Sequence, residues 1–459
     1  MDSAAEVCRV GGPDRRALVA EDMVAAFRAR QATIGVVGLG YVGLPLACAA
    51  ARSGFKVVGF DVDASKVNDL RNGQSYIRHI PSEEIAMWRT ERRLDATVEF
   101  SRIPEVDAIL LCVPTPLTRQ REPDLEFIRQ TGLAIAPYLR RGQLVVLEST
   151  TYPGTTREVL VPILEQSGLR CGSDFYVAYS PEREDPGNAH YNTASIPKVV
   201  GGDGPVAVSL AQALYDGIVT HTVPVSSLEA AEAVKLTENI FRSVNIALVN
   251  ELKVVFEAMG INVWEIIDAA KTKPFGYMPF YPGPGLGVHC IPIDPFYLTW
   301  KAREFGLSTR FIELAGEINT AMPLRVVDKV VQALNDHAGK APKGARILIL
   351  GLAYKKNVED TRESPAFKII ELLEKRGARV GYHDPFVTEI PVSREHPEFA
   401  GRRSVAFTKA VVSEYDAAVI CTDHDDVDYT SLVAWSRLVI DTRNACGRLH
   451  LVGGHIVPA

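Results

Sequence analysis

Apolar residues in this chain fall into short unbroken runs separated by helical patches, and the alternation sharpens at Thr33. Ile34-Gly35-Val36-Val37 reads as a strand buried on both faces, as parallel sheets favour. An apolar helix over 44–51 follows, Gly54 ends it, and a second strand runs over 56–60. Runs over 107–113, 143–147 and 175–178 read as further strands, and shorter ones near 198–201 and 219–223 close the unit. From Ser226 the rhythm changes. A stretch free of Gly and Pro continues to about Met259, with Ser226 or Ser227 as cap and an acid in the first turn. Helices over 263–270 and about 309–337 come next. A basic, Gly/Pro-marked link at 339–344 reads as a boundary. Beyond it the strand–helix alternation resumes, with strands over 346–351, 378–382, 417–421 and 438–440 and a helix over 364–376. Residues 1–31 stand apart: Gly11-Gly12-Pro13 breaks any early element, and a short helix over 17–30 is given no function.

The expected fold is α/β, two Rossmann-like doubly wound domains joined by a central helical domain with a long helix. The expected boundaries are an N-terminal extension (1–31), a dinucleotide-binding domain (32–225), a central helical domain for dimerisation (226–338) and a second α/β domain (339–459). The long helix is apolar on more than one side, so at least a homodimer is expected.

Composition narrows the classes. At 459 residues and 47% hydrophobic content the chain can build two or three cored domains. A net charge of −6 suggests no nucleic-acid partner. Seven scattered cysteines without CxxC spacing argue for a reducing compartment and against a disulfide framework or zinc. The first 30 residues lack the apolar core of a signal peptide, and no run of about 18 apolar residues occurs. The expectation is a soluble, cytoplasmic protein with no membrane partner.

Between the first strand and helix lies Gly38-Leu39-Gly40-Tyr41-Val42-Gly43, and the second strand ends at Asp61. In this context GxGxxG is a dinucleotide fingerprint: the first glycine turns, the second lets backbone approach a pyrophosphate, and the third packs helix on strand. The phosphate charge sits at the helix N-terminus. Asp61 would accept bonds from the ribose hydroxyls and repel a 2′-phosphate, which favours NAD over NADP. Lys66 is a candidate for the adenosine end. Thr115, Thr150 and Glu182 follow the next strands, where open α/β sheets bind ligands; the alternative for each is a turn or cap residue.

On the long helix Lys235, Asn239 and Arg242 fall at i, i+4 and i+7, a polar stripe on an otherwise apolar element. Downstream, Gly283-Pro284-Gly285-Leu286-Gly287-Val288-His289-Cys290-Ile291-Pro292-Ile293-Asp294 sets one thiol just past a Gly/Pro loop with a carboxylate four residues on, a candidate nucleophile. The second α/β unit opens with Gly351-Leu352-Ala353-Tyr354-Lys355-Lys356, lacking the second and third glycines. It should not cradle a dinucleotide; Lys355, Lys356 and Arg362 could instead meet another nucleotide's phosphates. NAD on one unit and a nucleotide-linked substrate on the other is the expected pairing.

These motifs together resemble the UDP-glucose/GDP-mannose dehydrogenase family, and within it the UDP-N-acetylglucosamine 6-dehydrogenases. The resemblance is carried by GLGYVGLPLA (38–47), GFDVD (59–63), VPTP (113–116), ESTTYPGTT (148–156), YSPER (179–183), KLTENIFRSVNIALVNELK (235–253), PGPGLGVHCIPIDPFYLTWKA (282–302), GLAYKKNVEDTRESPA (351–366) and DTRNA (441–445). It implies oxidation of a nucleotide sugar's C6 alcohol to a carboxylate with two NAD and no metal. It implies Cys290 as nucleophile, Lys235 at the C6 oxygen, Asn239 and Asp294 as polar partners, Glu182 in thioester breakdown and Thr150 at the water. It also implies substrate contacts at Glu182, Arg183, Lys235, Asn239, Arg242, Tyr281, Gly285, Tyr354, Lys355 and Arg443. NAD contacts are implied at 38–43 (Gly38, Leu39, Gly40, Tyr41, Val42, Gly43), Asp61, Lys66, Thr115, Thr150 and Arg362. UDP-N-acetylglucosamine is the implied substrate, with UDP-glucose or UDP-N-acetylmannosamine as alternatives.

Lys235 can act as a base made neutral by burial or as a cation beside a developing oxyanion; the sequence leaves both open. One departure stands out. The family pattern before the cysteine is Gly-Gly-His-Cys, and here Val288 replaces the second glycine. If that position needs positive φ or close approach, valine costs about 1–3 kcal/mol, so lowered or re-tuned activity is expected, with a low-activity binding protein as the limiting case.

Overall fold

The structure, a computed structural model, describes residues 15–77, 80–118, 122–183, 194–287, 293–393 and 396–459. The chain forms two compact units, Met1–Thr237 and Glu238–Ala459.

The first unit is built on eight strands: β1 (Thr33–Val37), β2 (Lys56–Phe60), β3 (Leu94–Thr97), β4 (Ala108–Leu111), β5 (Leu144–Leu147), β6 (Tyr176–Tyr179), β7 (Lys198–Gly202) and β8 (Thr222–Pro224). Their order is β3-β2-β1-β4-β5-β6-β7-β8. Strands β1 to β6 pair in parallel, β7 turns antiparallel to β6, and β8 runs parallel to β7. The order reverses between β1 and β4, which opens a crevice at their carboxyl ends. Strands β4, β5 and β6 are buried at every residue, because helices cover both faces. Strand β3 has no strong signature in the sequence. It is four residues long, and its Asp95 faces out to pair with Arg89 and Arg102.

The helix Arg15–Arg28 does not hang free as an appendage. Ala20 and Phe27 enter the core of the first unit, and Met23 and Val24 pack against it. These four positions form an i, i+3, i+4, i+7 stripe that the surrounding charges disguise.

In the second unit, β9 (Arg346–Leu350), β10 (Arg379–His383), β11 (Ala417–Ile420), β12 (Val439–Asp441) and β13 (Ile456–Pro458) pair throughout in parallel, in the order β10-β9-β11-β12-β13. Its switch point lies between β9 and β11. The architecture is therefore two parallel-sheet domains joined by a helical region. That region includes a 31-residue helix, Leu228–Ala258, begun by Ser227, whose Oγ accepts the Ala230 N–H at 3.1 Å. The Val263–Ala270 helix ends where its sequence predicts. Asp294–Glu304 forms a helix that begins on the carboxylate of the cysteine motif. Arg310–Ala338 carries Pro323 inside it and stops at left-handed Gly339. Among the described residues no helix is long and apolar enough to cross a membrane.

Candidate active site

The dinucleotide turn occupies the β1/β4 switch point. Gly38 has φ +89°, and a Cβ there would lie 2.4 Å from the Cys112 carbonyl oxygen at the end of β4. A Cβ on Gly43 would strike the Gly38 carbonyl oxygen at 1.8 Å, so the turn closes only with both glycines. A Cβ on Gly40 would meet nothing within 4 Å. That open space lies just before the Gly43–Arg52 helix, whose positive N-terminal dipole end suits a pyrophosphate. Leu39 N–H donates to Asp61 Oδ2 at 2.8 Å, and Asp63 N–H donates to Oδ1 at 2.9 Å. Asp61 is thereby aimed, nearly buried, at the rim of the turn, with Lys66 Nζ 3.8 Å from it. Tyr41 is exposed and Val42 starts the helix. A group with a negative pyrophosphate and a ribose diol fits this set.

Three predicted residues follow the next strand ends in the same unit. Thr115 is nearly buried after β4, and Thr150 is half-buried after β5. Glu182 follows β6, where Lys235 Nζ donates to its backbone carbonyl and lies 3.8 Å from its carboxylate. Lys235 is buried, so its amino end reaches that acid through a largely dry environment. Arg183 Nη1 donates to Pro197 O at 2.6 Å.

In the second unit Asn239, fully buried, donates from Nδ2 to Asp294 Oδ2 and accepts from Arg242 Nη2 at Oδ1. The Asn239 amide is therefore held at both ends, and Asp294 begins its helix with only 3% exposure. The entry to the cysteine loop threads between tight neighbours. A Cβ on Gly283 would reach Arg443 Nη1 at 2.5 Å, one on Gly285 (φ +144°) would touch Pro365 and Pro323, and one on Gly287 would meet Tyr354 Cβ at 2.7 Å. The start of that loop thus rests directly on the Tyr354 turn. Residues 288–292, including Val288 and Cys290, lie outside the described residues. Tyr281 stacks on Trp264, 5.6 Å between ring centroids, and its hydroxyl lies 3.1 Å from Asp268 Oδ1. Both rings line a cleft of about 380 Å³ with Lys271, Arg443 and Arg448. Arg443 is oriented by its Nε bond to Cys421 O at 2.8 Å.

The family model for the UDP-glucose/GDP-mannose dehydrogenase NAD binding domain matches residues 32–219, that for the central domain 229–321, and that for the UDP binding domain 348–448. The chain belongs to the UDP-glucose/GDP-mannose dehydrogenase family. It is an NAD-dependent nucleotide-sugar dehydrogenase, and its C-terminal unit carries the UDP binding domain. It is 37% identical over 365 residues to a UDP-N-acetyl-D-glucosamine 6-dehydrogenase of Pseudomonas aeruginosa, covering 79% of this chain and 85% of the relative. It is 36% identical to an NDP-N-acetyl-D-galactosaminuronic acid dehydrogenase of Ralstonia solanacearum, covering 90% and 95%. The solved structure of a UDP-D-ManNAc dehydrogenase from Pyrococcus horikoshii superposes with a TM-score of 0.83 at 34% identity, covering 93% and 98%.

Within this dehydrogenase the second turn is built like the first and then closed. Gly351, at φ +80°, packs on the Thr422 carbonyl as Gly38 packs on Cys112. Asp384, at the end of β10, takes the Leu352 and Ala353 N–H groups at 2.6 and 3.1 Å. Leu352 and Ala353 are fully buried, so the backbone that would greet a pyrophosphate is already spoken for. Of the three cations suggested for phosphates, Lys356 pairs with Asp425 at 2.7 Å and Arg362 is forked onto Asp360. Lys355 is half-buried in the same loop.

Sequence reasoning missed three buried polar groups, two in the first unit and one in the second. Glu148, completely buried at the end of β5, accepts from Lys198 Nζ and Tyr215 Oη, and Lys198 also donates to Pro181 O at 3.3 Å. Burial pushes the Glu148 and Tyr215 pKa values up. His424 is paired with Asp384. Glu232 accepts from the Gly154 and Thr156 backbone. The only signal for Glu232 was an acid three residues before Lys235, on the same side of an apolar helix.

Proposed function

We propose that this enzyme oxidises the C6 alcohol of a UDP-N-acetylhexosamine, UDP-N-acetylglucosamine first among them, to the uronic acid through a covalent Cys290 intermediate. The observation that carries the reading is the pair of clamps one helical turn apart on the Leu228–Ala258 helix: Lys235 held at Glu182, and Asn239 held between Asp294 and Arg242. A buried cation facing an acid, followed by a fixed amide facing an acid, suits proton handling at a C6 oxygen and stabilisation of an oxyanion. The N-acetyl preference is supported by the relatives, whose names specify N-acetylated sugars.

NAD, when bound, accepts a hydride from C6 at each oxidation. Lys235 manages the proton leaving the C6 hydroxyl, giving an aldehyde. The Cys290 thiolate adds to the aldehyde carbon, a C–S bond forms, and the carbonyl oxygen takes a proton. This thiohemiacetal keeps a hydrogen on C6 that a second oxidation removes, leaving a thioester. Water, oriented by Thr150 and Asp294 with Glu182 drawing its proton, then breaks the C–S bond and frees the carboxylate. The substrate contacts are assigned to Arg183, Arg242, Tyr281, Gly285, Tyr354, Lys355 and Arg443, and the NAD contacts to residues 38–43, Asp61, Lys66, Thr115, Thr150 and Arg362.

A homo-oligomer is part of the proposal. Phe241, Leu248 and Val255 recur every seven residues on the helix and are 48%, 51% and 41% exposed, a stripe suited to a second copy. A reducing, cytoplasmic setting accords with the free cysteines Cys48, Cys112, Cys171, Cys421 and Cys446. The deciding experiment supplies limiting UDP-sugar with excess NAD and counts NADH. About two NADH per sugar with uronate formed supports the reading; one per sugar, with aldehyde as product, refutes it. Cys290→Ser is expected to abolish uronate formation, and undiminished uronate would remove the sulfur from the mechanism. A panel of UDP-sugars ranks the C2 substituents.

A further inference from the structure

The loop after β5, Ser149 to Thr156, carries Thr150 and then turns sharply into the Thr156–Leu160 helical turn, which has the wide π form. Such turns carry a local energetic cost and recur at functional sites. Its first N–H groups have no partner inside the turn. Glu232, from the Leu228–Ala258 helix, supplies one. Its Oε2 accepts the Gly154 N–H at 2.6 Å, and its Oε1 accepts both the Thr156 N–H at 2.9 Å and the Thr156 hydroxyl at 2.6 Å. Within the loop Thr155 is braced by bonds from its N–H and its hydroxyl to Tyr152 O, 3.1 and 2.8 Å. Glu232, Thr155 and Thr156 are all fully buried. Three bonds to one carboxylate in a dry site are strong and hard to replace. Glu232 stands three residues before Lys235, on the same side of the helix.

We propose that Glu232 is a positioning residue of the active site: by gripping Gly154 and Thr156 it sets the loop that presents Thr150 against the helix that presents Lys235. It touches neither substrate nor cofactor and acts through the placement of those two residues. The inference rests on the proposed roles of Thr150 and Lys235.

The grip depends on the ionised form, because a protonated oxygen would point a hydrogen at N–H donors. Burial raises the Glu232 pKa to about 7, against the lowering effect of the Thr156 and Gly154 bonds. The charged neighbours are Glu229 and Lys235 on the same helix, Arg157 and Glu158 on the clamped turn, and Asp203 after β7. Arg157 is engaged by Glu229 at 2.7 Å and Asp203 at 2.6 Å. Glu229 raises its pKa further. The grip is therefore half-formed near pH 7, nearly complete a unit above it and largely released a unit below it.

The test compares wild type, Glu232→Gln and Thr156→Val. Glu232→Gln keeps the volume but turns an amide N–H toward a backbone donor, and Thr156→Val removes one bond while keeping Glu232 charged. Three quantities are read: amide exchange of the 150–160 segment at pH 6 and pH 8, NAD affinity without sugar, and the pH profile of kcat. In wild type the segment should exchange at least tenfold faster at pH 6 than the intrinsic pH trend predicts. In Glu232→Gln exchange should be fast at both pH values. NAD should bind several-fold more weakly, and kcat should fall about ten- to a hundredfold with the acidic limb near pH 7 flattened. Thr156→Val should fall between. A Glu232→Gln enzyme that melts lower yet keeps wild-type NAD affinity, kcat and pH profile would overturn the proposal, leaving Glu232 a structural residue. If wild type oxidises no UDP-sugar, the proposed function fails; the exchange and NAD-affinity measurements still decide the grip on their own.

Discussion

His424 donates its Nε2–H to Asp384 Oδ2 across 3.1 Å, with both side chains fully buried. The tautomer follows from the other ring nitrogen: Nδ1 lies 2.9 Å from the Asn357 backbone N and accepts its hydrogen, so the proton is on Nε2. The pair links the end of β10, the Leu352-Ala353 turn and the loop carrying Tyr354 and Lys355. Burial alone would raise the Asp384 pKa; the His424 bond and the Leu352 and Phe386 N–H groups outweigh it and hold it below the usual carboxylate value. A carboxylate held below its unfolded value stabilises the fold above pH 4 and loses that contribution as pH falls toward 2. The contribution is on the order of 2 kcal/mol. Replacing His424 by Phe should therefore lower stability at pH 7 by about 2–3 kcal/mol. The gap from wild type should narrow between pH 4 and pH 2. Urea unfolding at pH 7, 4 and 2.5 checks this; a gap constant over that range would refute it.

Asp61 serves both the turn, through Leu39 N–H, and the ribose it is expected to meet. Asp61→Asn removes the charge and one acceptor. KM for NAD should rise about tenfold, equivalent to ~1.4 kcal/mol, with a smaller change in kcat, and discrimination against NADP should weaken. Unchanged NAD/NADP selectivity would show that the acid does not read the ribose.

The Glu148–Lys198 pair is buried on both sides, and Tyr215 completes its shell. Lys198→Met leaves a buried carboxylate without a counter-charge and should cost about 3–5 kcal/mol. The double variant Glu148→Gln with Lys198→Met should recover a substantial part. A double-mutant cycle by denaturant titration measures the coupling; additive losses would mean the pair is not energetically linked.

Val288 follows Gly287, where an added Cβ would lie 2.7 Å from Tyr354 Cβ, and it stands where the pattern this motif resembles has glycine. Val288→Gly should change kcat several-fold or shift the order of preferred UDP-sugars. Identical turnover and preference in both forms would show that valine is neutral at this position.

The Phe241–Leu248–Val255 stripe predicts association. Leu248→Glu places a charge in its middle and should shift the sedimenting species toward monomer at micromolar concentration. A wild type already monomeric there would remove the stripe from consideration as an interface.

Much of this enzyme was legible in the order of its residues, because local patterns carry their own physics. Strands buried on both faces must be apolar throughout, so β1, β2, β4 and β5 announce themselves. GxGxxG followed by Asp61 specifies a turn, a helix N-terminus and an acid at fixed separations, and the structure places them as that spacing requires. The Lys235, Asn239 and Arg242 stripe follows from helical periodicity alone. What the sequence could not express is which distant groups satisfy one another. Glu232 reaches a turn 76 residues earlier, Glu148 meets Lys198 50 residues on, and Asp384 meets His424 across 40. A buried charge has no periodic signature; its partner is set by how sheets and helices stack, and only the folded chain decides that. The same holds for Phe27, which looked like part of a stray helix until the core of the first unit closed over it.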